Sequence, residues 1–288
     1  MSSNFLESVV VRVLADNQVM FGTPYIGQHG VSILVSAYRQ DSKLNVLVDV
    51  GGNGDAVLRN MGLMGVNPRD VDVIVLTHRH KDHAGGLFKV LEAVGKEDLP
   101  IIAHPDIMRP NISLEPHIRY IGTPADFKER VTRLGGVLIL TRDPLELVPG
   151  LMTTGEVRRF RPARYEFKTF TEDFRLVNDE MLDDTSLIAL LRDGLVLITG
   201  CSHSGITNVV RHSIELTKIR KVKAIVGGLH LVKTPEEEIA EIVEELTRHE
   251  IEMVFAGHCT GFKAQVELSR RYGDKFTPLQ VGMELVFK

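Results

Sequence analysis

An apolar strand that leads directly into a cluster of histidines is the feature that most constrains how this chain can fold. Residues 73–76 are apolar, and residues 77–87 continue as Thr-His-Arg-His-Lys-Asp-His-Ala-Gly-Gly-Leu. The two glycines allow the backbone to turn into a helix. In α/β proteins, ligands bind where strands end in this way. The segment therefore predicts a strand, a functional loop and a helix in succession.

The spacing within this loop is typical of metal ligands. His78 and His80 are two residues apart, so in an extended segment both point the same way and can bind one ion. A turn in the loop can bring Asp82 and His83 to a second ion nearby. A surface cluster of histidines is the alternative, but neutral imidazoles and carboxylates are the usual ligands of such ions. We therefore expect two metal ions at this loop.

Further ligands are expected at three other strand ends. Apolar runs at 195–199, 224–226 and 253–256 are each followed by glycine and then by His203, His230 or His258. Any one of these could be a buried histidine with an internal partner, but the recurrence favours one shared site. His29 is expected either to line that site or to lie in a turn, and His104 to be structural or a cap.

Composition, charge and the lengths of the apolar runs disfavour several classes of protein. The chain has 288 residues, 43% of them hydrophobic, and a net charge of -4, which is typical of a soluble globular protein and disfavours nucleic-acid binding. Apolar runs are strand-sized and the start lacks a secretory pattern, so neither a membrane nor export is expected, and the cytoplasm is the predicted compartment. Cys201 and Cys259 each lie beside a histidine, which favours site residues over a disulfide.

Strand and helix patterns predict a layered α/β architecture. Early strands come in succession and later ones alternate with helices in both halves, which favours two sheets with helices on their outer faces. Residues 105–133 and 158–184 are polar and irregular, and we interpret them as lid-like insertions, with plain surface loops as the alternative. The helical patterns cover residues 55–64, 86–94, 207–216, 235–249 and 261–272.

The loop of residues 78–83, which we call the metal loop, resembles that of the metallo-β-lactamase superfamily. Residues 78–83 followed by Gly85-Gly86 match its metal motif, and residues 47–51 resemble its first strand pair. The chain is most similar to the branch of dihydropterin–ribofuranosylaminobenzene phosphate synthase-like metallohydrolases. The shared marks are residues 16–17, 29–32, 200–206, 227–230 and 257–261. The resemblance implies a four-layer αβ/βα sandwich, as one domain over residues 1–288.

The resemblance also implies a ligand assignment. It gives His78, His80 and His203 to one divalent ion, and Asp82, His83 and His258 to the other. Zinc is the first expectation for both ions, and manganese or iron also fits these ligands. The superfamily has an aspartate where Cys201 stands, so the ligands that remain open are Cys201, His230 and Asp184. Asp49 is expected to orient a ligand imidazole.

The function that we predict is a metal-dependent hydrolase that activates water against a small phosphorylated or ester substrate. Asp82 would orient the water and accept a proton, and His230 would stabilise negative charge on the substrate. A transferase that joins a pterin to ribofuranosylaminobenzene phosphate is one alternative, and a metal-dependent oxidoreductase or a non-catalytic metal-binding protein is another. The sequence indicates neither the substrate nor the oligomeric state. The arginines suited to an anionic substrate are Arg109, Arg119, Arg158, Arg159, Arg161 and Arg164.

Overall fold

The chain folds into two large sheets and one small sheet. A computed structural model describes residues 4–162 and 166–288, so Arg164 lies outside the described residues. The strands are β1 (Ser8–Ala15), β2 (Ser32–Arg39), β3 (Ser42–Val48), β4 (Val73–Val75), β5 (Leu99–Ala103), β6 (Ile112–Ser113), β7 (Arg119–Tyr120), β8 (Gly136–Leu140), β9 (Glu146–Val148), β10 (Leu151–Thr153), β11 (Lys168–Phe170), β12 (Leu176–Asn178), β13 (Ser186–Leu191), β14 (Gly194–Thr199), β15 (Val222–Gly228), β16 (Ile251–Gly257), β17 (Phe276–Pro278) and β18 (Glu284–Phe287).

The two large sheets pack face to face and carry helices on their outer faces. The first has the strand order β18-β1-β2-β3-β4-β5-β8, and the second has the order β17-β16-β15-β14-β13-β10-β9. One apolar core lies between the sheets, and each sheet shares a further core with its own helices. This confirms the αβ/βα layering that the resemblance implied.

Alternation along the strands explains how each sheet serves two cores. In β2, Ile33 and Val35 belong to the core between the sheets, whereas Leu34 belongs to the core under the helices. In β14, Val196 faces the other sheet and Leu197 faces helices. Because successive side chains of a strand point to opposite faces, an all-apolar strand requires apolar cover on both sides.

Five of the helices match the predicted patterns to within two residues at either end. Two helices were not predicted: α2, a single turn within the metal loop, and α4, which lies inside the segment 105–133 that we had interpreted as irregular. None of the described helices has the length and apolar character needed to cross a membrane. The helices are α1 (Gly54–Leu63), α2 (Lys81–Ala84), α3 (Leu87–Val94), α4 (Phe127–Arg133), α5 (Ile206–Thr217), α6 (Glu236–Thr247) and α7 (Phe262–Tyr272).

The two segments that we interpreted as insertions pair with each other. They form the small sheet β12-β11-β6-β7, in which Lys168 of the second segment lies opposite Ile112 of the first. Two distant stretches of chain thus build one structure. Its strands are only two or three residues long, which is too short for a periodic pattern to be recognised in the sequence.

Parallel pairing brings the predicted strand ends to one place. Strands β14, β15 and β16 are parallel neighbours, and β3 and β4 are parallel in the other sheet. Gly200, just after β14, packs against Thr77 and Asp49 from the ends of β4 and β3. A Cβ atom at Gly200 would overlap Thr77 Oγ1 and lie 2.7 Å from Asp49 Oδ2. The two sheets therefore meet here with no room for a side chain.

Replacing Gly200 with alanine tests this close approach. We expect Gly200→Ala to lower the free energy of unfolding by about 1–3 kcal/mol, because the neighbouring buried groups must move. Gly62→Ala is the matched control, since nothing lies within 4 Å of a Cβ atom there and the residue is in α1. That control should gain up to about 1 kcal/mol. Equal urea midpoints for the two variants would contradict the packing described.

Candidate metal centre

Four strand ends from the two sheets deliver the predicted ligands to one site. The loop after β4 carries His78 and His80 and continues into α2, which carries Asp82 and His83. His203 and Cys201 follow β14, His230 follows β15 and His258 follows β16. Three residues of these loops other than glycine have positive φ: Ser202 (65°), His230 (51°) and His258 (49°). Such backbone costs energy in side chains other than glycine and is common at functional sites.

His78, His80 and His203 form the first group of ligand atoms. Each residue offers one ring nitrogen, and these three nitrogens lie within 4.8 Å of one another. All three residues are buried. The Nε2 atom of His78 is 3.2 Å from Nδ1 of His80. His203 packs edge-on against both rings, with centroids 4.7 and 4.8 Å away. The structure thus brings together the three residues predicted for one ion.

Asp82, His83 and His258 form the second group. Asp82 Oδ2 lies 3.2 Å from His258 Nε2 and 3.6 Å from His83 Nε2. The two imidazoles approach each other at 3.2 Å between their Nε2 atoms. His29, at 3.3 Å from Asp82 Oδ2, also lies here although it is exposed. The structure therefore also assembles the three residues predicted for the other ion.

In the first group, hydrogen bonds fix which ring nitrogen is protonated. Thr77 Oγ1 donates to Asp49 at 2.7 Å, so it accepts from the Nδ1–H of His78 at 3.0 Å. Asn111 Oδ1 accepts from the Nε2–H of His80 at 3.0 Å. The two nitrogens that face each other at 3.2 Å therefore both present lone pairs. Two lone pairs at this distance repel unless a cation lies between them.

In the second group, hydrogen bonds likewise fix the outer ring nitrogens. Asp49 Oδ2 accepts from the Nδ1–H of His83 at 2.7 Å, and Asn17 Oδ1 accepts from the Nδ1–H of His258 at 3.1 Å. The Nε2 atoms of both rings therefore face each other and Asp82, and the second proton of a charged His83 would lie on its Nε2 atom. The hydrogen bond from His83 to Asp49 is the contact that we expected of Asp49. Asn17, like Asn111, was not predicted in this role, although residues 16–17 were among the marks of the resemblance.

Burial governs the charge of these imidazoles. It lowers the pKa of His78 and of His203 well below 6.5, and it lowers that of His80 to about 3, so the first group is neutral at pH 7. Burial also lowers the pKa of His83, but Asp49 and Asp82 outweigh it and raise the value to about 9. These carboxylates favour positive charge beside His83, whether as a proton or as a metal ion.

The residues that the sequence left open take different places. Cys201 Sγ lies 3.1 Å from His83 Nε2, and both cysteines are free and buried. The His230 ring is 3.9 Å from that of His203, and its Nε2 is 3.4 Å from Glu166. Asp184 Oδ2 instead accepts hydrogen bonds from the amide and hydroxyl of Ser204, so this carboxylate holds the loop after β14.

A cavity of about 370 Å³ opens onto the two groups. Lys81, Arg119 and Lys233 supply positive charge to its lining, and Phe167 from the small-sheet segment lies 4.7 Å from His80, ring to ring. Arg161 lines a neighbouring cavity. The other described arginines of our prediction bind elsewhere: Arg109 to Phe170 and Asp106, Arg158 to Glu215, and Arg159 to the carbonyls of Glu180 and Met181.

A fully buried arginine ties the metal loop to the small sheet. Arg79, between two of the predicted ligands, pairs with Asp183 and Asp179, and its amide donates to Asp183 at 2.9 Å. Asp179 also accepts from Asn111 Nδ2 at 2.5 Å, and Asn111 holds His80. One charge network therefore joins the loop, the segment before β13 and a ligand imidazole. Alternation of side chains along an extended segment predicts that Arg79 points away from His78 and His80. Its complete burial could not be predicted from the sequence.

Removing the Arg79 charge tests this network. Arg79→Met should cost about 3–5 kcal/mol in the free energy of unfolding, because two carboxylates remain buried without a cationic partner. The triple variant Arg79→Met, Asp179→Asn, Asp183→Asn should recover most of that loss, since no buried charge is left unpaired. Urea unfolding measures both variants. A triple variant no more stable than Arg79→Met would show that the ion pairs do not carry the effect.

The sequence is similar to those of known proteins over most of its length. Residues 29–214, more than half of the chain, match the metallo-β-lactamase superfamily. The 7,8-dihydropterin-6-methyl-4-(β-D-ribofuranosyl)-aminobenzene-5'-phosphate synthase of Methanocaldococcus jannaschii is 34% identical over 288 residues, covering 98% of each chain. An uncharacterized protein of the same organism is 33% identical over 266 residues, covering 91% of this chain and 94% of that one.

A solved structure is also similar over nearly the whole chain. Tm1679, a metal-dependent hydrolase of the β-lactamase superfamily, superimposes with a TM-score of 0.80 at 27% identity, covering 96% of this chain and 98% of its own. The matched family region includes the metal loop and the loop after β14. On this evidence, together with the observed fold, the chain belongs to the metallo-β-lactamase superfamily.

Proposed function

We propose that this protein is a hydrolase with two divalent metal ions, acting on a small phosphorylated or ester substrate. The observation that carries the proposal is the contact at 3.2 Å between His78 Nε2 and His80 Nδ1 in the first group. The other nitrogen of each ring already donates to an oxygen, and burial lowers the pKa of both rings so that they are neutral at pH 7. The two nitrogens therefore face each other without a hydrogen between them, which is how metal ligands are arranged.

The donor atoms fit a divalent metal. Two nitrogens bound to one tetrahedral zinc ion at about 2.0–2.1 Å are about 3.3 Å apart, close to the distances found here. His203 Nε2 is buried and has no hydrogen-bond partner among the described residues, which leaves it available to the first ion. Cys201 would add a thiolate near the second group, a softer ligand than the usual aspartate. Zinc, manganese and iron are compatible with the remaining ligands.

The surrounding residues supply the other parts of hydrolysis. Two bound divalent ions would lower the pKa of a water molecule and neutralise charge on the substrate oxygens. Asp82, one-fifth exposed, reaches both His258 and the cavity, so its carboxylate would orient water and accept its proton. His230 lines the same cavity and would donate a hydrogen bond to a substrate oxygen, with Glu166 holding the ring.

The charge of the cavity favours an anionic substrate. Three cations line it, and of these Arg119 donates to the carbonyl of Glu115, which leaves its positive charge unneutralised there. Lys233 is 3.6 Å from Glu166 and 3.7 Å from Glu115. Together with Lys81 they would attract a phosphate or carboxylate group. The volume of about 370 Å³ suits a small molecule.

A transferase is the second candidate function. It is favoured by the synthase from M. jannaschii, which matches this chain over almost its full length. However, the uncharacterized relative from the same organism is nearly as similar, so identity alone does not single out the synthase activity. The same ligand set would serve both reactions, and the acceptor decides between them: water for hydrolysis, an aromatic amine for the synthase.

Metal content is the first test of the proposal. Protein purified anaerobically should contain about two divalent ions per chain. Asn17→Ala should weaken binding of one ion by about 10–100-fold, because His258 loses the acceptor that orients it. Asn178→Ala is the matched control, since that residue lies in the small sheet and pairs with Lys168. Chelator competition gives the affinities, and two unchanged ions in Asn17→Ala would refute the assignment of His258.

The reaction type is tested by the fate of water. The metal-loaded protein should hydrolyse one or more members of a panel of phosphomonoesters, phosphodiesters and lactones, and ¹⁸O from labelled water should enter the product. A parallel reaction supplies ribofuranosylaminobenzene phosphate and a dihydropterin whose 6-methyl carbon carries a phosphate or diphosphate leaving group, and mass spectrometry follows both the coupled product and the released phosphate or diphosphate. Carbon–nitrogen bond formation without ¹⁸O incorporation would favour the transferase, and no metal-dependent turnover in either assay would overturn the proposal.

A further inference from the structure

A second cavity, which we call the outer pocket, lies beside the metal centre. Its volume is about 610 Å³, and it shares Lys81 and Asp82 with the cavity described above. The lining also includes Phe88 of α3, Tyr120 of β7 and Arg130 of α4. The volume lies within the range of small-molecule sites, and the shared residues connect it to the proposed chemistry.

Arg130 in this pocket has its donors free. Its guanidinium carbon lies 3.6 Å from the centroid of the Phe88 ring, so the cation stacks on the aromatic face. Stacking uses the flat face of the guanidinium and leaves the N–H groups at its edge available. Among the residues that the structure describes, no carboxylate or carbonyl accepts from Arg130. A half-buried guanidinium that is held in place but not neutralised is suited to a bidentate acid.

Lys81 and Tyr120 form the other side of the pocket. The Lys81 amino group is 5.5 Å from the centroid of the Tyr120 ring and has no ion-pair partner within residues 4–162 and 166–288. The Tyr120 hydroxyl donates to the carbonyl of Thr123 at 2.5 Å, which fixes the ring. The residue as a whole is 42% exposed. An aromatic surface of this kind is available to stack on a planar ligand.

We propose that the outer pocket binds a planar aromatic acid, with its ring against Tyr120 and its acidic group on Arg130 and Lys81. Two unneutralised cations beside the exposed side chain of Tyr120 match both halves of such a ligand, whereas an uncharged ligand would leave the cations without a counterion. The inference rests on the proposed function only in treating the ligand as part of a substrate, or as a second substrate, whose reacting group reaches the metal centre past Asp82.

The experiment measures dissociation constants of 2-naphthoate on the metal-loaded protein by calorimetry. The comparison ligands are naphthalene-2-methanol, which keeps the rings without the charge, and decahydronaphthalene-2-carboxylate, which keeps the charge without the aromatic plane. We expect 2-naphthoate to bind at least fivefold more tightly than either. Equal affinity for all three would contradict a site that recognises both features.

Two variants locate the binding. Arg130→Gln should weaken 2-naphthoate about tenfold, the usual effect of removing a charge-assisted hydrogen bond. Lys128→Gln, on the same helix but outside the pocket lining, should bind like the parent protein. Tyr120→Leu should weaken binding at least fivefold, whereas Tyr120→Phe keeps the ring and should stay within twofold. Thermal unfolding of each variant checks that it is folded.

The possible failures are distinguishable. If 2-naphthoate binds only through the metal ions, Arg130→Gln and Tyr120→Leu will both leave its dissociation constant unchanged, and the proposal for the outer pocket is wrong. Turnover of small phosphoesters is measured separately on the same protein. If there is no turnover but 2-naphthoate binds and its binding depends on Arg130, the proposed function is wrong and the proposal for the outer pocket holds. If there is turnover but binding does not depend on Arg130, the proposal for the outer pocket is wrong and the proposed function holds.

Discussion

The buried carboxylate of Asp49 is the contact on which the rest of the site depends. It accepts from the amide and the hydroxyl of Thr77 and from the imidazole of His83, so one side chain links the ends of β3 and β4 to the helix α2, which carries Asp82 and His83 of the second group. Its own backbone has φ of 55°, and its carbonyl accepts from Ser32. Because Gly200 packs directly against it, both sheets are positioned relative to this one group.

Cys201 changes the chemistry expected of the centre. The resemblance to the superfamily implies an aspartate at this point, whose oxygen would be a hard ligand with a permanent charge. Burial raises the pKa of the Cys201 thiol far above 9, as do its hydrogen bond to Cys259 and the nearby carboxylates, so the sulfur is uncharged until a cation binds. The second group therefore has one permanent negative charge fewer than a centre with an aspartate at this point.

The sequence was informative where a predicted metal ligand directly follows a strand in the chain. The loop at 78–83 and the histidines after β14, β15 and β16 follow apolar strands directly, so both the layers and the converging ligands could be predicted. The outer acceptors Asn17 and Asn111 could not be assigned this way, because each contacts a histidine that is distant in sequence or belongs to another element. Most of the described arginines of the presumed lids contact carbonyls and carboxylates that are distant in the chain, and such partners could not be identified from the sequence.

The small sheet lies beside the predicted ligands without supplying any of them. The strands β6, β7, β11 and β12 contain no predicted ligand, yet Arg119 and Phe167, in or next to them, line the cavity. The contacts of Arg79 with Asp179 and Asp183 attach this region to the loop of His78 and His80, and so does the backbone hydrogen bond from Lys81 to Ile121. Exchanging Arg119 or Phe167 would therefore change the charge or the shape of the cavity lining, while the predicted ligands and their outer acceptors stay the same residues.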